Sequence, residues 1–343
     1  MRAVTSTILM SLFCLTLFSQ EPHTIVFYNI ENFFDTIDNP ATNDQEFTPE
    51  GKNRWSSDKY AVKLGNIEQV FSDIAAINNT LPTIIGVAEV EVRNILEDIA
   101  STPKLAPAEY QIVHYDSPDE RGIDVAFLYR PDKFQIEGSF AERAYVPDMP
   151  DFRTRDILTM WGTIQGEELF FAVAHWPSRW GGKEQSEHLR IASGNQMRQI
   201  IDSVKTIRPK SKFVIMGDLN DDPSDKSVAE ALGAKGNIKK LDGDDLFTPF
   251  EVMHKAGHGT LAYNGEWNLF DNIIVSHNLV NAPKNTLQLQ KSIDSKKFYG
   301  NIFKPSYLIQ TEGKYRGYPY RTFSGGEFIG GYSDHLPVFI NIE

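Results

Sequence analysis

The run Lys212-Phe213-Val214-Ile215-Met216-Gly217-Asp218-Leu219-Asn220 carries the strongest structural information in the chain. Its first five residues predict a short buried β-strand, and the strand leads directly into a carboxylate and a carboxamide. A single Asp or Asn at a strand end is more often a turn former than a ligand. The meaning of Asp218 and Asn220 therefore depends on what the other strands carry.

Six more apolar runs predict buried strands, at residues 24–28, 83–87, 125–129, 169–174, 272–275 and 337–342. Polar side chains stand at the ends of most of them, namely Asn29, Glu89, His175, Asp271, Asp334 and His335. Ligands of open α/β sheets gather beyond one edge of the strands, so we expect these side chains to share one cleft.

Two stretches between the strands keep an apolar stripe at helical spacing: Tyr60, Leu64, Ile67, Val70, Phe71 and Ile74 in the first, and Leu189, Met197, Ile200, Ile201 and Val204 in the second. Strands interleaved with helices predict a layered α/β domain over residues 20–343. Residues 38–57 and 291–331 fit neither pattern. Long irregular loops are usually functional or disordered, and we expect the second to be a substrate-side insertion.

The chain has 343 residues, with 46 acidic and 34 basic side chains and a net charge of −12 at pH 7. Such a chain is not a passive nucleic-acid coat, because non-specific DNA affinity comes from Lys and Arg that neutralise phosphates. An enzyme that cuts phosphodiesters remains open, since a metal and a few local cations can provide that neutralisation. Nothing in the sequence indicates a protein partner.

The N-terminal residues have the features of an export signal. Arg2 gives a positive start, residues 8–18 form a short apolar run, and Ser19 offers a small-residue cleavage point. A buried first element is the alternative, and lipid attachment at Cys14 is disfavoured by the bulky Phe13 before it. No later stretch approaches the roughly 20 consecutive apolar residues of a membrane span. We therefore predict a signal peptide over residues 1–19 and a periplasmic or secreted protein, without stable membrane insertion and without cysteine once Cys14 is removed.

Oxygen ligands at these strand ends suit a hard divalent cation, which uses only one or two carboxylates and keeps several waters. We expect Mg²⁺, with Mn²⁺ or Ca²⁺ as alternatives. Glu89 is the expected main ligand, with Asn29 and Asp334 completing the site. The chain lacks the helical zinc-binding histidine motif, the phosphate-binding Gly-Lys-Ser/Thr loop and the Gly-x-Ser-x-Gly elbow, which disfavours zinc hydrolases, nucleotide triphosphatases and serine hydrolases.

Six ordered motifs resemble those of the endonuclease/exonuclease/phosphatase superfamily: Asn29-Ile30-Glu31-Asn32, Glu89-Val90-Glu91, His175-Trp176, Gly217-Asp218-Leu219-Asn220, Phe270-Asp271-Asn272-Ile273-Ile274-Val275-Ser276 and Ser333-Asp334-His335-Leu336-Pro337-Val338. The resemblance spans essentially the whole chain after the signal. Members of this superfamily include pancreatic deoxyribonuclease, abasic-site endonucleases, sphingomyelinases and inositol polyphosphate 5-phosphatases. The resemblance implies a four-layer α/β sandwich, with two mixed β-sheets packed face to face and helices on the outer faces.

The resemblance also implies roles for these residues. Asn29 and Glu89 correspond to the metal-site pair, and Asp334 serves the metal or a second metal position. Asp218 and Asn220 would position the scissile phosphate and the attacking water. His335 would be the base, or an imidazolium that contacts the phosphate, and Asp271 would fix its tautomer.

His175 resembles the second imidazole of the deoxyribonuclease branch, where it assists the leaving group or binds phosphate. Asp124 is the nearest acid that could orient His175, and capping of a turn after Gly122 is an equally good interpretation. Ala88 departs from the family, which often has Gln before the metal-binding Glu. We expect this change to alter the surroundings of the metal without loss of the metal.

Several residues around this core are candidate substrate contacts. Arg155 resembles an arginine near the phosphate path, although a rim salt bridge explains it as well. Trp176 and Trp180 follow His175 and could floor the cleft, although ordinary packing explains at least one of them. Arg316 and Arg321 lie in a segment rich in Tyr and Gly that suits base stacking or phosphate contact, or a loop packed by its own tyrosines.

These expectations favour a metal-dependent phosphoesterase that hydrolyses phosphate esters by in-line attack of an activated water. The first interpretation is a secreted nuclease-like phosphodiesterase acting on DNA or RNA. The alternative is a phosphomonoesterase, or a phosphodiesterase of the phospholipid or sphingomyelin type. A non-catalytic binding protein with a relic site has little support, because every matched catalytic position holds a competent residue.

Overall fold

The computed structural model describes residues 22–343, so the predicted signal peptide lies outside the described residues. The strands are β1 His23–Phe33, β2 Ile84–Val90, β3 Gln111–His114, β4 Asp124–Tyr129, β5 Gln135–Glu142, β6 Ile157–Ile164, β7 Glu167–His175, β8 Lys212–Asp218, β9 Ala234–Lys235, β10 Leu246–Phe247, β11 Leu261–Tyr263, β12 Glu266–Asn268, β13 Asp271–Ser276, β14 Asn301–Ile302, β15 Phe323–Ser324, β16 Glu327–Phe328 and β17 Val338–Ile342. The α-helices are α1 Ser57–Asn78, α2 Arg93–Ser101, α3 Lys183–Ile207, α4 Phe250–Lys255 and α5 His277–Val280. Five single turns complete the helical structure: Gln45–Phe47, Ala106–Ala108, Ser227–Ala231, Ile238–Lys240 and Ser306–Leu308.

Two large mixed sheets form the centre of the described chain. The first sheet has the strand order β14-β17-β1-β2-β4-β3, and the second has the order β5-β6-β7-β8-β13-β10-β9. The pairs β1–β2 and β7–β8 are parallel, whereas β1–β17, β2–β4 and β8–β13 are antiparallel. β11–β12 and β15–β16 form two small hairpins outside these sheets.

The two sheets pack face to face through a shared hydrophobic core. Phe27 and Phe127 of the first sheet belong to the same buried cluster as Phe171, Val173 and Met216 of the second. The sheets approach closely at Gly86, where an added Cβ would lie 2.4 Å from the Met216 sulfur. A larger residue at this position would require the Met216 side chain to move.

Helices cover both outer faces of the paired sheets. Ile67, Val70 and Phe71 of α1 pack on the first sheet together with residues of α2, and Met197 and Ile201 of α3 pack on the second. The sequence therefore folds as helices, sheet, sheet and helices. The predicted four-layer α/β sandwich is confirmed.

The two irregular segments pack mainly on the side of the first sheet, although Tyr299, near the start of the second segment, packs on Phe247 of the second sheet. In residues 38–57, the Phe47 ring stacks on Phe34 at 4.2 Å, and the buried Trp55 donates a hydrogen bond to the Phe34 carbonyl. Residues 291–331 contain β14, β15 and β16 and pack along α1, where Asn66 donates hydrogen bonds to the carbonyls of Gly330 and Gly331. Within residues 22–343, no helix combines the length and the apolar character needed to cross a membrane.

Candidate active site

Strand register brings the polar strand-end residues together at one edge of the sandwich. Asp218, at the end of β8, lies opposite His175 of the parallel strand β7 and opposite Asp271 of the antiparallel strand β13. Residues directly opposite each other in neighbouring strands point to the same face. Three residues separated by up to 96 positions in sequence, counted from 175 to 271, therefore line one site.

Asn29 and Glu89 meet this group from the first sheet. Asn29 Nδ2 donates to Glu89 Oε1 at 3.2 Å and to Asp218 Oδ2 at 3.0 Å, so it joins the two sheets at the site. Glu89 Oε2 accepts the backbone N–H of Asn32 at 2.8 Å. The pairing of β2 with β4 shifts register between Ala88 and Val90, and this bulge turns Glu89 toward the cleft.

His335 forms a dyad with Asp271. Its Nδ1 lies 2.8 Å from Asp271 Oδ2, and its Nε2 lies 3.7 Å from Asp218 Oδ2. Ser333 fixes the approach of this residue, because its Oγ donates to the Asn29 carbonyl at 2.7 Å and accepts the His335 backbone N–H at 3.0 Å. Burial would lower the pKa of His335, but the Asp271 and Asp218 carboxylates outweigh burial and hold the pKa well above its usual range. The imidazolium is therefore the stable form.

His175 faces the same acids from the opposite side. Its Nε2 lies 3.5 Å from Asp218 Oδ2 and 3.9 Å from Glu89 Oε1. Burial lowers the pKa of His175 well below the ordinary value, and the positive charge of Arg155 adds to this effect. Its Nδ1 is buried without a hydrogen-bond partner among the described residues, so no acid fixes its tautomer.

Asp124 is engaged elsewhere in the structure. Its Oδ2 lies 3.0 Å from His114 Nε2, and its Oδ1 accepts the backbone N–H of Ser117 at 2.8 Å. The idea that Asp124 orients His175 is therefore wrong. The side chain closes a turn before β4, in line with the second interpretation of this residue.

The acids at the centre of the site repel one another. Burial raises the pKa of Asp218 to about 6; the His335 charge opposes this rise, and the Asp271 and Glu89 carboxylates add to it. Asp218, Asp271 and His335 have ligand atoms within 4.8 Å of one another, but the protonated His335 is paired with Asp271 and has no free lone pair for a metal ion. The buried carboxylates outnumber this one positive charge, and Glu89 lies beside them, so the acids of the site fit a divalent cation.

Asn29 and Asp334, the other predicted metal ligands, have their oxygen atoms engaged by other groups of the protein. Asn29 Oδ1 accepts the Glu31 backbone N–H at 3.0 Å, so the amide presents its Nδ2 to the acids. Asp334 Oδ2 pairs with Arg321 Nη2 at 3.1 Å, and Asp334 Oδ1 lies 4.0 Å from His335 Nε2. Asp334 therefore belongs to the rim beside His335, on the side where Arg321 stands.

Asn220 is held by contacts that the sequence did not indicate. Its Nδ2 donates to the Trp176 carbonyl at 3.0 Å, and its own carbonyl accepts from Arg179 Nε at 2.9 Å. Arg179 also pairs with Asp221, Asp222 and Asp225. No spacing rule in the sequence marks Arg179, because its partners lie about 40 residues later, in the loop after β8.

The other predicted substrate contacts divide into buried and exposed residues. Arg155 is buried against Asp119 at 3.1 Å and donates to the carbonyls of His175 and Trp176, so it supports the histidine from below instead of forming a rim salt bridge. Trp176 lies in the hydrophobic cluster under α3 and not on the cleft floor. Arg316 is exposed, and Trp180 is 89% exposed in the loop that follows His175.

Four non-glycine residues at this edge have left-handed backbone: Glu31 (φ 49°), Asn32 (φ 44°), Glu89 (φ 65°) and Asn220 (φ 49°). Such conformations cost on the order of 1–3 kcal/mol each and persist where the surroundings hold them in place. Six further left-handed non-glycine residues lie elsewhere in the described chain, and four together beside the acids and histidines are typical of a functional site.

The sandwich of two mixed sheets, with acids, amides and two histidines at one edge, agrees with the family that a sequence comparison identifies. The sequence model of the Endonuclease/Exonuclease/phosphatase family matches residues 24–343. The chain therefore belongs to this family, as the motifs predicted, and enzymes of the family depend on divalent metal ions. A search of curated proteins returned no match.

Solved structures with the same fold are distant in sequence. TDP2 of D. rerio, complexed with a single-strand DNA product, shares 14% identity with a TM-score of 0.54, and the match covers 94% of this chain and 99% of that one. The human Nocturnin catalytic domain, with a bound sulfate anion, shares 15% identity at a TM-score of 0.53 and covers 94% of both chains. A mannosyl-6-phosphatase of Bacteroides thetaiotaomicron VPI-5482 shares 18% identity at 0.55 and covers 94% of this chain and 99% of that one. These likenesses show the fold.

Proposed function

We propose that the protein is a divalent-metal-dependent phosphodiesterase with a nuclease-like substrate range. The observation that carries this proposal is the His335–Asp271 dyad at 2.8 Å, facing Asp218 beside the Asn29–Glu89 pair. A phosphate ester repels anionic nucleophiles, so hydrolysis needs cations on the phosphate and a positioned water. The site contains groups suited to each task.

His335 supplies the fixed positive charge on the protein side. The Asp271 carboxylate accepts from Nδ1 and directs Nε2–H into the cleft, where it would donate to a non-bridging phosphate oxygen. Asn220 gives one amide N–H to the Trp176 carbonyl, and its other amide N–H would donate to the phosphate. Both donors gain strength as negative charge develops on the phosphate oxygens.

Asp218 is placed to handle the attacking water. Its Oδ2 lies 3.5 Å from His175 Nε2 and 3.7 Å from His335 Nε2, and from this position the carboxylate would accept a proton from the water and release it afterwards. The water oxygen would form the new bond to phosphorus while the bond to the leaving oxygen breaks opposite to it. No covalent bond to the protein is required.

Glu89 would be the main ligand of the metal ion, with Asn29 beside it, and Asp334 would have to leave Arg321 to join them. When bound, the ion stabilises charge on the phosphate and lowers the pKa of a bound water. Ligation by Asn29 Oδ1 would require the amide to turn, which would release the Glu31 backbone N–H. The neutral His175 would contact the substrate or its leaving group as a hydrogen-bonding group without charge.

The rim of the cleft favours a nucleic-acid strand. Arg321 is anchored on Asp334 and lies 5.0 Å from the Tyr315 ring centre, and Tyr315 and Tyr318 are 6.0 Å apart. With the exposed Trp180 and Arg316, these groups offer aromatic faces and cations, the combination that binds single strands. The similar fold of TDP2, solved with a DNA product, supports this choice.

A phosphomonoesterase is the second candidate. The Arg321–Asp334 pair puts a cation beside His335, where it would balance the additional charge of a terminal phosphate. The mannosyl-6-phosphatase with this fold supports the same idea. A lipid phosphodiesterase has less support, because the chain is acidic overall.

A substrate panel tests these proposals. The chain without residues 1–19 is incubated with plasmid DNA, RNA, bis-p-nitrophenyl phosphate and p-nitrophenyl phosphate, with Mg²⁺, Mn²⁺, Ca²⁺ or EDTA. We expect metal-dependent cleavage of the diesters. Activity on the monoester alone would replace the first candidate with the second, and turnover that persists in EDTA would overturn the metal proposal.

We also propose that residues 1–19 direct export. Expression of the full chain in a bacterial host, followed by N-terminal sequencing of the periplasmic and medium fractions, should give a mature chain that begins at Gln20. Recovery of the intact chain from the cytoplasm alone would contradict export.

A further inference from the structure

A buried lysine of α1 lies next to the candidate active site. Lys63 has no exposed surface, and its Nζ donates to Thr322 Oγ1 at 2.6 Å and to the Tyr332 carbonyl at 3.3 Å. The Phe33 ring lies 5.6 Å from the same Nζ. Burial of an ammonium group is costly, and the hydrogen bonds to these partners and the nearby Glu31 carboxylate offset part of that cost.

The two partners are the two ends of one loop. Residues 322–332 leave the body of the protein at Thr322, form the β15–β16 hairpin and return at Tyr332. Backbone hydrogen bonds close the base of the loop, from the Tyr332 N–H to the Tyr320 carbonyl at 2.6 Å and from the Ile329 N–H to the Thr322 carbonyl at 3.0 Å. One ammonium group therefore holds both chain ends.

The two chain segments at the base of the loop pack closely against each other. A Cβ at Gly331 would lie 2.1 Å from the Arg321 carbonyl oxygen, so the two chain ends meet backbone to backbone. Asn66, one helical turn after Lys63, donates to the Gly331 carbonyl at 2.9 Å. We call Glu31, Lys63, Asn66, Thr322 and Tyr332 the loop clasp.

The loop clasp is connected to the site at both ends. The Thr322 backbone N–H donates to Glu31 Oε2 at 2.6 Å, and Glu31 is two residues from Asn29. Arg321, next to Thr322, pairs with Asp334, two residues after Tyr332. Between them, Ser333 bonds the Asn29 carbonyl. A displacement at Lys63 would therefore reach Arg321 and Asp334 together.

We propose that Lys63 is a positioning residue, which acts through Thr322 and Tyr332 to hold the Arg321–Asp334 pair beside His335. The inference rests on the proposed phosphoesterase function and adds a residue to it. Apolar packing alone would bury the same helix face without fixing where two chain ends meet. Hydrogen bonds from one group to both ends define that meeting point.

A double-mutant cycle tests the coupling. Lys63→Met keeps the buried stem and removes the donors, and Thr322→Val removes only one acceptor if the first variant folds poorly. With bis-p-nitrophenyl phosphate we expect Lys63→Met to lower kcat/KM about tenfold, and to cause no further loss in an Arg321→Ala background. Wild-type kcat/KM in Lys63→Met, or an equal loss in both backgrounds, would overturn the proposal.

Lys59→Met is the matched control. Lys59 lies one turn earlier on α1, near the rings of Phe323 and Phe328 in the same hairpin, and donates to the Asn53 carbonyl instead of the loop ends. We expect it to keep wild-type kcat/KM. If Lys59→Met lost as much kcat/KM as Lys63→Met, a general destabilisation of the hairpin would explain both variants.

Hydrogen exchange provides a readout that does not depend on activity. The Thr322, Ile329 and Tyr332 amides should exchange at least tenfold faster in Lys63→Met than in wild type, with α3 unchanged. Unchanged exchange at these amides would refute the loop clasp. Changed exchange in an enzyme inactive on every phosphate ester would refute the proposed function and leave the loop clasp standing.

Discussion

The two histidines of the cleft are the same residue type in opposite states. His335 has its Nδ1 on a buried carboxylate and two further acids nearby, so it holds a proton. His175 faces the same Asp218 from the other side, but burial, with the nearby charge of Arg155, lowers its pKa well below the ordinary value, and its Nδ1 has no partner among the described residues, so the ring stays neutral. The neighbours of each ring, and not the residue type, determine its chemistry.

The largest expected effect comes from removing the charged histidine. His335→Gln keeps a polar side chain without the positive charge, and we expect kcat/KM on bis-p-nitrophenyl phosphate to fall about 10³-fold. Circular dichroism would show that the fold is intact. A loss below tenfold would mean that His335 has no special role and that the contrast with His175 has no catalytic meaning.

Replacing the partner of the charged histidine should have the next largest effect. Asp271→Asn removes the carboxylate that raises the pKa of His335, so the imidazolium is lost at a lower pH. We expect kcat/KM to fall about 10²-fold at pH 8, with the alkaline limb of the pH profile displaced to lower pH. An unshifted limb would assign that titration to another group.

The neutral histidine should matter less. His175→Gln preserves hydrogen bonding without a charge, and we expect kcat/KM to fall less than about tenfold, the value of one ordinary hydrogen bond. The pH profile should keep its wild-type shape. A loss as large as that of His335→Gln would erase the distinction between the rings.

The two histidines should change the free energy of unfolding in opposite directions as the pH rises. The folded pKa of His335 lies above the unfolded value, so its contribution is complete below about pH 6.5 and is lost as the pH rises through the folded value. The folded pKa of His175 lies below the unfolded value, so its neutral ring costs stability as the pH falls below about 6.5.

Urea unfolding of the metal-free protein measures both effects. Relative to His175→Gln, wild type should lose stability as the pH falls from 6.5 to 5. Relative to His335→Gln, wild type should lose stability as the pH rises above 6.5. Parallel curves for the two variants would show that both rings share one protonation state.

The fold was predictable where strands are buried on both faces. All seven predicted strands lie in the two large sheets, because β8 and its neighbours read as continuous apolar runs. β5 was not predicted, because it is a half-exposed edge strand whose polar residues interrupt the apolar run. α2 is only nine residues long, and its N-cap Val92 makes no side-chain capping bond, so it left no start signal.

The candidate site was predictable as a set of residues and not as a set of contacts. Alignment of strand ends brings Asp218, Asp271 and His175 together, and that follows from the pattern. The pairing of Asp124 with His114 depends on a turn whose path the sequence does not specify. Lys63 is marked in the sequence, because a lysine stands between the apolar residues Tyr60 and Ile67 on the buried face of α1.

The left-handed backbone at Glu31, Asn32, Glu89 and Asn220 has a consequence for engineering. Glycine at Asn32 would relieve steric strain, and heat-resistance screens of this chain should enrich such a replacement. The Asn32 N–H donates a hydrogen bond to Glu89 Oε2, and a more flexible backbone at position 32 would let the Glu89 carboxylate adopt several positions. Variants selected only for tolerance of high temperature should therefore turn over substrate more slowly.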